Sequence, residues 1–167
     1  MSEKESSVVF DNEHDVAIII PTVGGEPLVG NAGFDSLQAN GGIPPMVIVL
    51  NDDTLPSPGW LDGMLRGMSA TVCTAMADPD QNVLPIGDYG KVGIVGPVSN
   101  HVWRDQRVES GIESEMQIDA FAADYMEANK DYNVITEVIS GFCMGLHRDL
   151  IVELIQNDGW VFDPIYS

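Results

Sequence analysis

Positively charged residues are scarce in this 167-residue sequence: seven Lys plus Arg stand against 26 Asp plus Glu, for a formal net charge of −19. A surface this negative repels phosphate backbones and anionic lipid head groups. We therefore expect no nucleic-acid partner and no membrane-surface partner. An anionic small molecule would need a metal ion or a local cluster of backbone donors to offset the field.

Long apolar segments and metal-binding cysteine motifs are also lacking. No apolar run approaches the roughly 18 residues that a membrane-spanning helix needs, and residues 1–14 have neither the basic nor the apolar region of a signal peptide. Cys73 and Cys143 show no CxxC or Cys/His spacing. These absences predict a cytoplasmic protein with reduced, buried thiols and no transmembrane segment.

The apolar residues that are present form two β-branched runs and several helical patterns. Residues 16–20 and 46–50 have the continuous apolar character of buried parallel strands. A third, shorter strand is predicted over residues 91–96. Strands that alternate with helices are typical of an α/β fold, and we expect a mostly parallel sheet flanked by helices. Helical spacing predicts helices near residues 59–69, 115–128 and 149–157.

Two further stretches are predicted as loops, and the chain is divided accordingly. The Gly- and Asn-rich residues 22–42 are expected to be mostly loop, with room for a short helix over 34–39. Residues 78–88 are also expected to be a loop. Residues 1–14 are predicted to be a flexible acidic leader, followed by a single domain over residues 15–167.

The most informative local feature is the acidic sequence Asn51-Asp52-Asp53-Thr54, which directly follows the second strand. In an open α/β sheet, ligands bind beyond the carboxyl ends of the strands. Two carboxylates and an amide oxygen at that place suit Mg²⁺ or Mn²⁺. The alternative is a simple turn with a helix cap, because Asp, Asn and Thr all favour turns.

This acidic stretch also resembles a segment of the family 2 glycosyltransferases, which are nucleotide-sugar-dependent enzymes of GT-A fold. Residues 50–54 (LNDDT) are followed by Pro56, Pro58 and Gly59, as in the family's metal-binding motif and the helix start after it. The other segments that resemble the family occur in family order: residues 16–22 (VAIIIPT), 31–42 (NAGFDSLQANGG), 92–100 (VGIVGPVSN), 140–149 (SGFCMGLHRD) and 159–163 (GWVFD). The resemblance implies a GT-A-like domain over almost the whole chain.

The resemblance also implies a set of site residues. Asp53 and Asn51 would bind a divalent ion, Mn²⁺ or Mg²⁺, and Gly141 and Phe142 would lie on the side of the acceptor, a glycan or another molecule with a hydroxyl group. The residues that would bind the nucleotide-sugar donor are Pro21, Thr22, Asn31, Gly33, Asn40 and Asp52. The implied reaction is the metal-assisted transfer of a sugar from a nucleotide diphosphate to the acceptor hydroxyl.

The sequence departs from the family pattern in three places. Only nine residues separate Pro21 from Asn31, where the family has several dozen that help to bind the nucleobase. Asn51 replaces the first Asp of the usual Asp-x-Asp metal motif. No residue matches the family's catalytic base, although Glu137 and Asp163 are carboxylates in the corresponding half of the chain. The alternative function is therefore a catalytically degenerate or fragmentary GT-A-like domain that acts as a binding module.

Four residues after the third strand have two possible interpretations each. His101 is either an ordinary loop histidine or a contact for a substrate phosphate or sugar hydroxyl. Trp103 is either part of the core or a surface for stacking a sugar ring. Arg104 and Arg107 are either ordinary surface residues or phosphate contacts.

Overall fold

The structure is a computed structural model, and it describes residues 6–11, 15–21, 27–69, 91–112, 114–130, 133–134, 136 and 138–166. The chain forms two compact units, residues 1–55 with 140–167 and residues 56–139. The strands are β1 (Ser6–Asp11), β2 (Val16–Pro21), β3 (Met46–Leu50), β4 (Ile94–Val95) and β5 (Cys143–His147). The helices are α1 (Pro27–Ala39), α2 (Trp60–Ser69), α3 (Ile118–Asn129) and α4 (Arg148–Asp158).

The first unit contains a mixed sheet with the strand order β1-β2-β3-β5. β2 and β3 are parallel, as predicted, with Val16 opposite Met46. β1 is antiparallel to β2, and β5 is antiparallel to β3 with Leu50 opposite Cys143. The α/β class is confirmed, whereas the prediction of a mostly parallel sheet is wrong. Apolar runs report how deeply a strand is buried, but they do not report its direction.

β1 lies inside residues 1–14, the segment predicted to be a flexible leader. Its register places Val8 opposite Ile19, and Val8 packs against the core. Val9 and Phe10 are about half exposed, at 51% each. Val and Phe favour extended backbone, so residues 6–11 form the edge strand of the sheet.

α1 covers most of the stretch that was predicted to be a loop. The prediction treated its glycines as helix breakers, but a Cβ at Gly33 would lie 2.6 Å from Cγ2 of Ile19, and one at Gly30 would lie 2.9 Å from Cδ2 of Phe162. Both glycines therefore allow the helix to approach its neighbours closely. Tertiary packing has overridden the low helix propensity of glycine.

The core of the first unit lies between the sheet and the two helices that pack on it. β3 is buried along its whole length, and Ile19 and Val47 are completely buried. Phe34 and Leu37 of α1 and Ile151 of α4 belong to the same hydrophobic cluster, whose members are Ala17, Ile19, Phe34, Leu37, Val47, Val49, Leu146 and Ile151. The ends of β2, β3 and β5 therefore extend from a rigidly packed core.

The second unit contains α2, α3 and the short strand β4. α2 confirms the helix predicted near 59–69, and its buried Gly67 packs against Val95, with 2.8 Å between the position of a Cβ and Cγ2 of Val95. Phe121 and Tyr125 stack on α3 with ring centroids 5.8 Å apart. The strand predicted over 91–96 is confined to Ile94–Val95, and the loop predicted over 78–88 lies outside the described residues.

In the part of the chain that the structure describes, no helix combines the length and the apolar character needed to cross a membrane.

Candidate functional site

The candidate site lies at one edge of the sheet in the first unit. β2 and β3 are parallel, so both strands end at this edge. Because β5 is antiparallel to β3 and Cys143 lies opposite Leu50, the residues that precede β5 lie at the same edge. We call this the carboxyl edge, made of Pro21, Asn51, Asp52, Asp53 and the pair Gly141–Phe142. In α/β sheets this is where ligands bind.

Backbone hydrogen bonds hold the acidic turn after β3 in place. The Asn51 N–H donates to the Phe142 carbonyl over 2.9 Å, and the Thr54 N–H donates to the Asn51 carbonyl over 3.2 Å. The Thr54 hydroxyl also lies 3.5 Å from the Phe142 carbonyl oxygen. The turn is thus closed by the backbone and tied to the segment before β5. The predicted metal residues and the predicted acceptor-side residues are neighbours in space.

The carboxylates of this turn are available to a ligand. Asp52 and Asp53 are exposed and Asn51 is half-buried. Within the described residues, neither carboxylate has a hydrogen bond or ion pair with another side chain. Because Thr54 closes the turn through the backbone, the Asp side chains are not needed to hold it.

The donor set of the turn fits a hard cation that keeps part of its water shell. Over the described ranges, no group of three or more His, Cys, Asp or Glu side chains could hold a metal ion. Mg²⁺ commonly binds through one or two carboxylates plus water and substrate phosphates. Asp53, Asp52 and the Asn51 amide oxygen match that mode of binding, and they do not form a closed protein cage.

The other residues predicted at this edge differ in their surroundings. Pro21 ends β2, is buried and lies opposite Ser6 of β1. Gly141 is exposed, and a Cβ there would meet nothing within 4 Å. The space beside Gly141 is therefore open to a ligand. A residue with a side chain would also fit at this position. Thr22 lies outside the described residues.

Asn31, which is predicted to bind the donor, makes hydrogen bonds within the protein. Its Oδ1 accepts hydrogen bonds from the N–H groups of Val161 (3.1 Å) and Phe162 (3.0 Å), and its Nδ2 donates to the Phe162 carbonyl over 2.7 Å. Phe162 also packs on Phe34, with ring centroids 6.0 Å apart. Asn31 thus fastens the segment after α4 to α1.

Gly33 lies on α1, and Asn40 directly follows α1. Gly33 is buried, and Ile19 fills the space beside it. Asn40 follows the end of α1, where its Nδ2 donates to the Ser36 carbonyl over 2.9 Å. α1 carries the chain from the carboxyl end of β2 back toward the amino end of β3, so Asn40 belongs to the opposite edge of the sheet. Pro21, which ends β2, and Asp52, which follows β3, are predicted donor-side residues that lie at the carboxyl edge.

Cys143 begins β5 and is almost completely buried, with 1% of its surface exposed. It is a free thiol, as predicted. Burial raises its pKa from 9.0 to about 12 because the thiolate would lose its hydration. A thiol with this pKa stays protonated near neutral pH and is not a nucleophile there. Cys73 lies outside the described residues.

The second unit holds the other four candidates, within the segment 99–107. Gln106 and Val102 are buried in this segment, whereas Trp103 is 88% exposed. His101, Arg104 and Arg107 are exposed. The exposure of Trp103 decides against its core interpretation.

Two features of the candidate site were not visible in the sequence. The proximity of the acidic turn to Gly141–Phe142 depends on the strand order, for which the sequence carries no local signal. The role of Asn31 depends on a partner 131 positions away.

The chain matches no protein-family model, no curated protein and no solved structure.

Proposed function

We propose that the protein is a GT-A-like glycosyltransferase of family 2 type that acts in the cytoplasm. It would transfer a sugar from a nucleotide-diphosphate-sugar donor to the hydroxyl group of a glycan or another acceptor, with the help of Mn²⁺ or Mg²⁺. The proposal rests on the ordered set of sequence motifs and on one geometric observation. That observation is the meeting of the acidic turn with the Gly141–Phe142 segment at the carboxyl edge.

The hydrogen bond from Asn51 to the Phe142 carbonyl supports the proposal most directly. Donor and acceptor must meet for transfer, so residues of the two sides must lie within one site. Asn51 to Asp53 are predicted on the donor side and Phe142 on the acceptor side. These two segments are distant in sequence, yet a 2.9 Å backbone bond joins them. The bond continues the antiparallel register of β3 and β5 by one residue beyond Leu50 and Cys143, so the sheet itself brings the two segments together.

The turn residues have distinct tasks in the proposed reaction. Asp53 and the Asn51 amide oxygen would hold the divalent ion, and Asp52 lies on the donor side of the same turn. Such an ion would neutralise the charge that develops on the leaving diphosphate. Thr54 and Asn51 would keep the Phe142 carbonyl fixed, and the open space beside Gly141 would admit the acceptor.

The two carboxylates considered as a general base for the acceptor hydroxyl are Asp163 and Glu137. Asp163 has one carboxylate oxygen engaged, because its Oδ1 accepts a hydrogen bond from the Ile165 N–H over 2.9 Å. Glu137 lies outside the described residues. A general base commonly contributes about 10²–10⁴-fold to the rate. We therefore propose that the chain binds its donor and transfers slowly, well below the common enzymatic range of about 1 s⁻¹ or more.

A second candidate function is a non-catalytic binding module built on the same scaffold. One observation favours it: the amide of Asn31 already makes three hydrogen bonds to the backbone of Val161 and Phe162. A side chain committed in this way contributes less to donor binding than its motif implies. Binding of a nucleotide or a glycan without measurable transfer would support this second function.

The experiment that tests the proposal is calorimetric titration of the chain with UDP, GDP and dTDP, each with and without Mn²⁺. We expect at least one nucleotide to bind only when Mn²⁺ is present. Asp53→Ala should weaken that binding by more than about 100-fold. Replacing a residue that only hydrogen-bonds to a metal ligand typically lowers metal affinity about 10–100-fold, and loss of a ligand itself should cost more. Asn51→Asp should strengthen it, because a second carboxylate holds a hard cation more tightly.

Asp35→Ala is the matched control, because Asp35 is an exposed carboxylate on α1 in the same unit. It should leave the affinity for the nucleotide and Mn²⁺ unchanged. Equal nucleotide binding by the wild-type chain and Asp53→Ala would show that the acidic turn is only a turn. Absence of binding for all three nucleotides at millimolar concentration would contradict the proposed donor.

A further inference from the structure

Trp103 is the most exposed aromatic residue among those that the structure describes, with 88% of its surface accessible. An indole presents a large apolar area, which normally drives it into a core or an interface. Two nearby residues of the same segment are buried, since Val102 is 9% exposed and Gln106 is 6% exposed. The segment 99–107 therefore presents Trp103 to solvent, while the buried Val102 and Gln106 anchor the segment.

Hydrogen bonds fix the segment beneath Trp103. The Ser99 N–H donates to the Gln106 carbonyl over 2.8 Å, and the Val108 N–H donates to the Ser99 carbonyl over 3.0 Å. The buried Gln106 side chain donates through Nε2 to the Pro97 carbonyl over 2.8 Å. Because the loop ends are closed in this way, Trp103 is presented on a fixed backbone. A preorganised side chain loses less conformational entropy when it binds a ligand.

The backbone next to Trp103 is also unusual. Arg104 has a φ of 59° in the left-handed region, which non-glycine residues seldom adopt. Such conformations cost free energy and persist where the surrounding structure enforces them, often at binding sites. The Thr136 hydroxyl donates to Asp105 Oδ2 over 2.8 Å and holds the other side of the turn. The conformation of the loop therefore keeps Trp103 exposed.

The charges around Trp103 indicate which ligand would fit. Arg104 and Arg107 are balanced by Asp105 and Glu109, and Arg107 forms an ion pair with Glu109 over 3.0 Å. Over residues 99–109 the formal charge is therefore zero, which gives no attraction for an anion, and the chain as a whole carries −19. A neutral ligand that has a flat apolar face and a rim of hydroxyl groups matches an indole surrounded by donors and acceptors.

We propose that Trp103 is a stacking surface for a pyranose ring of a neutral glycan. Arg104 and His101 would donate hydrogen bonds to the hydroxyl groups at the rim of the ring. The proposal rests on the proposed function only for the choice of a glycan as the ligand, and the stacking surface itself lies wholly within the second unit.

The test is an NMR titration of the full chain with cellotetraose, maltotetraose, mannotetraose and chitotetraose. The three indole N–H signals belong to Trp60, Trp103 and Trp160, and each is assigned by its Trp→Phe variant. We expect at least one tetrasaccharide to shift the Trp103 signal at millimolar concentration while the other two signals stay in place. Trp103→Ala should weaken that binding about tenfold, the lower end of the loss seen when an aromatic side chain that stacks on a nucleobase is removed.

Trp160→Phe is the matched control, because Trp160 is partly exposed, at 41%, in the first unit. It should bind the tetrasaccharide as well as the wild-type chain does. Equal glycan affinity in Trp103→Ala, or no shift of the Trp103 signal with any of the four probes, would overturn the proposal. A Trp103 signal that moves with protein concentration alone would also overturn it and assign the loop to contacts between copies.

The outcomes separate this proposal from the proposed function. Mn²⁺-dependent nucleotide binding without glycan binding would overturn only the stacking surface. Glycan binding at Trp103 without nucleotide binding would leave the stacking surface in place and overturn the transferase.

Discussion

Replacing Asn31 by Leu should destabilise the first unit through the loss of three hydrogen bonds. Asn31 Oδ1 accepts from the N–H groups of Val161 and Phe162, and Nδ2 donates to the Phe162 carbonyl. A hydrogen bond of this kind contributes about 1 kcal/mol net, so the three together contribute about 3 kcal/mol. Leu has the higher helix propensity, which returns roughly 0.5 kcal/mol. The expected loss of unfolding free energy is about 2–3 kcal/mol.

Asn31→Asp tests which atoms of the amide matter. The substitution keeps an acceptor for the two N–H groups, and its charge strengthens those bonds. It also removes the donor and places a carboxylate oxygen near the Phe162 carbonyl. We expect the Asp variant to lie between the wild-type chain and Asn31→Leu in stability.

Asn40→Leu is the matched control, because Asn40 is exposed just after the same helix and its Nδ2 donates only within the helix end, to the Ser36 carbonyl and hydroxyl oxygens. Exposed substitutions of this type usually change stability by less than about 0.5 kcal/mol. The measurement is urea unfolding followed by circular dichroism, without nucleotide or metal. If Asn31→Leu costs no more than Asn40→Leu, Asn31 does not fasten the two segments. If Asn31→Leu has the stability of the wild-type chain but binds the nucleotide less tightly, Asn31 binds the donor instead.

Two other substitutions test the packing of the first unit. Gly33→Ala should destabilise the chain, because the added Cβ would lie 2.6 Å from Cγ2 of the buried Ile19; overpacking costs about 1–3 kcal/mol and exceeds the helix-propensity gain of up to about 1 kcal/mol. Gly63→Ala on α2 should instead stabilise, since its Cβ would meet nothing closer than 3.9 Å. In a Cys73→Ser background, Cys143 should react with a thiol reagent only as fast as the chain unfolds. Because the pKa of Cys143 is about 12 in the folded chain and 9.0 as its ordinary value, the buried thiol contributes fully to the unfolding free energy below pH 9. This contribution should fall between pH 9 and 12, as the thiol of the unfolded chain ionises. A Cys143→Ala variant whose stability depends on pH in the same way would contradict this.

The sequence predicted the elements whose signal is local. The apolar runs at 16–20 and 46–50 correspond to β2 and β3, and helical spacing located α2 and α4. α4 also ends on a local feature, because Gly159 has a φ of 84° and its N–H donates to the Ile155 carbonyl over 3.0 Å, which makes it a left-handed cap. These features depend on residues within a few positions of one another.

The elements that the sequence did not predict depend on distant partners. α1 looked like a loop because the fit of its glycines to Ile19 and Phe162 cannot be read from residues 22–42 alone. The antiparallel direction of β5 could not be inferred either, since Gly145 interrupts its apolar run and no turn signal links it to β3. At the candidate site, the position of Asn51–Asp53 followed from the strand before it, whereas the contact with Phe142 followed from the strand order.

The first unit is assembled from both ends of the chain, and this has a consequence for its synthesis. Thr54 and Phe142 are 88 positions apart, so β3 leaves the ribosome long before β5, its neighbour in the sheet, is made. At the usual elongation rate of 5–20 residues per second, the delay is roughly 5–20 s. During this interval the nascent chain carries β3 with one open edge, which is a template for wrong strand pairing. Chaperones that shield exposed strands should therefore raise the yield of folded protein, whereas slower elongation lengthens the interval and should lower it.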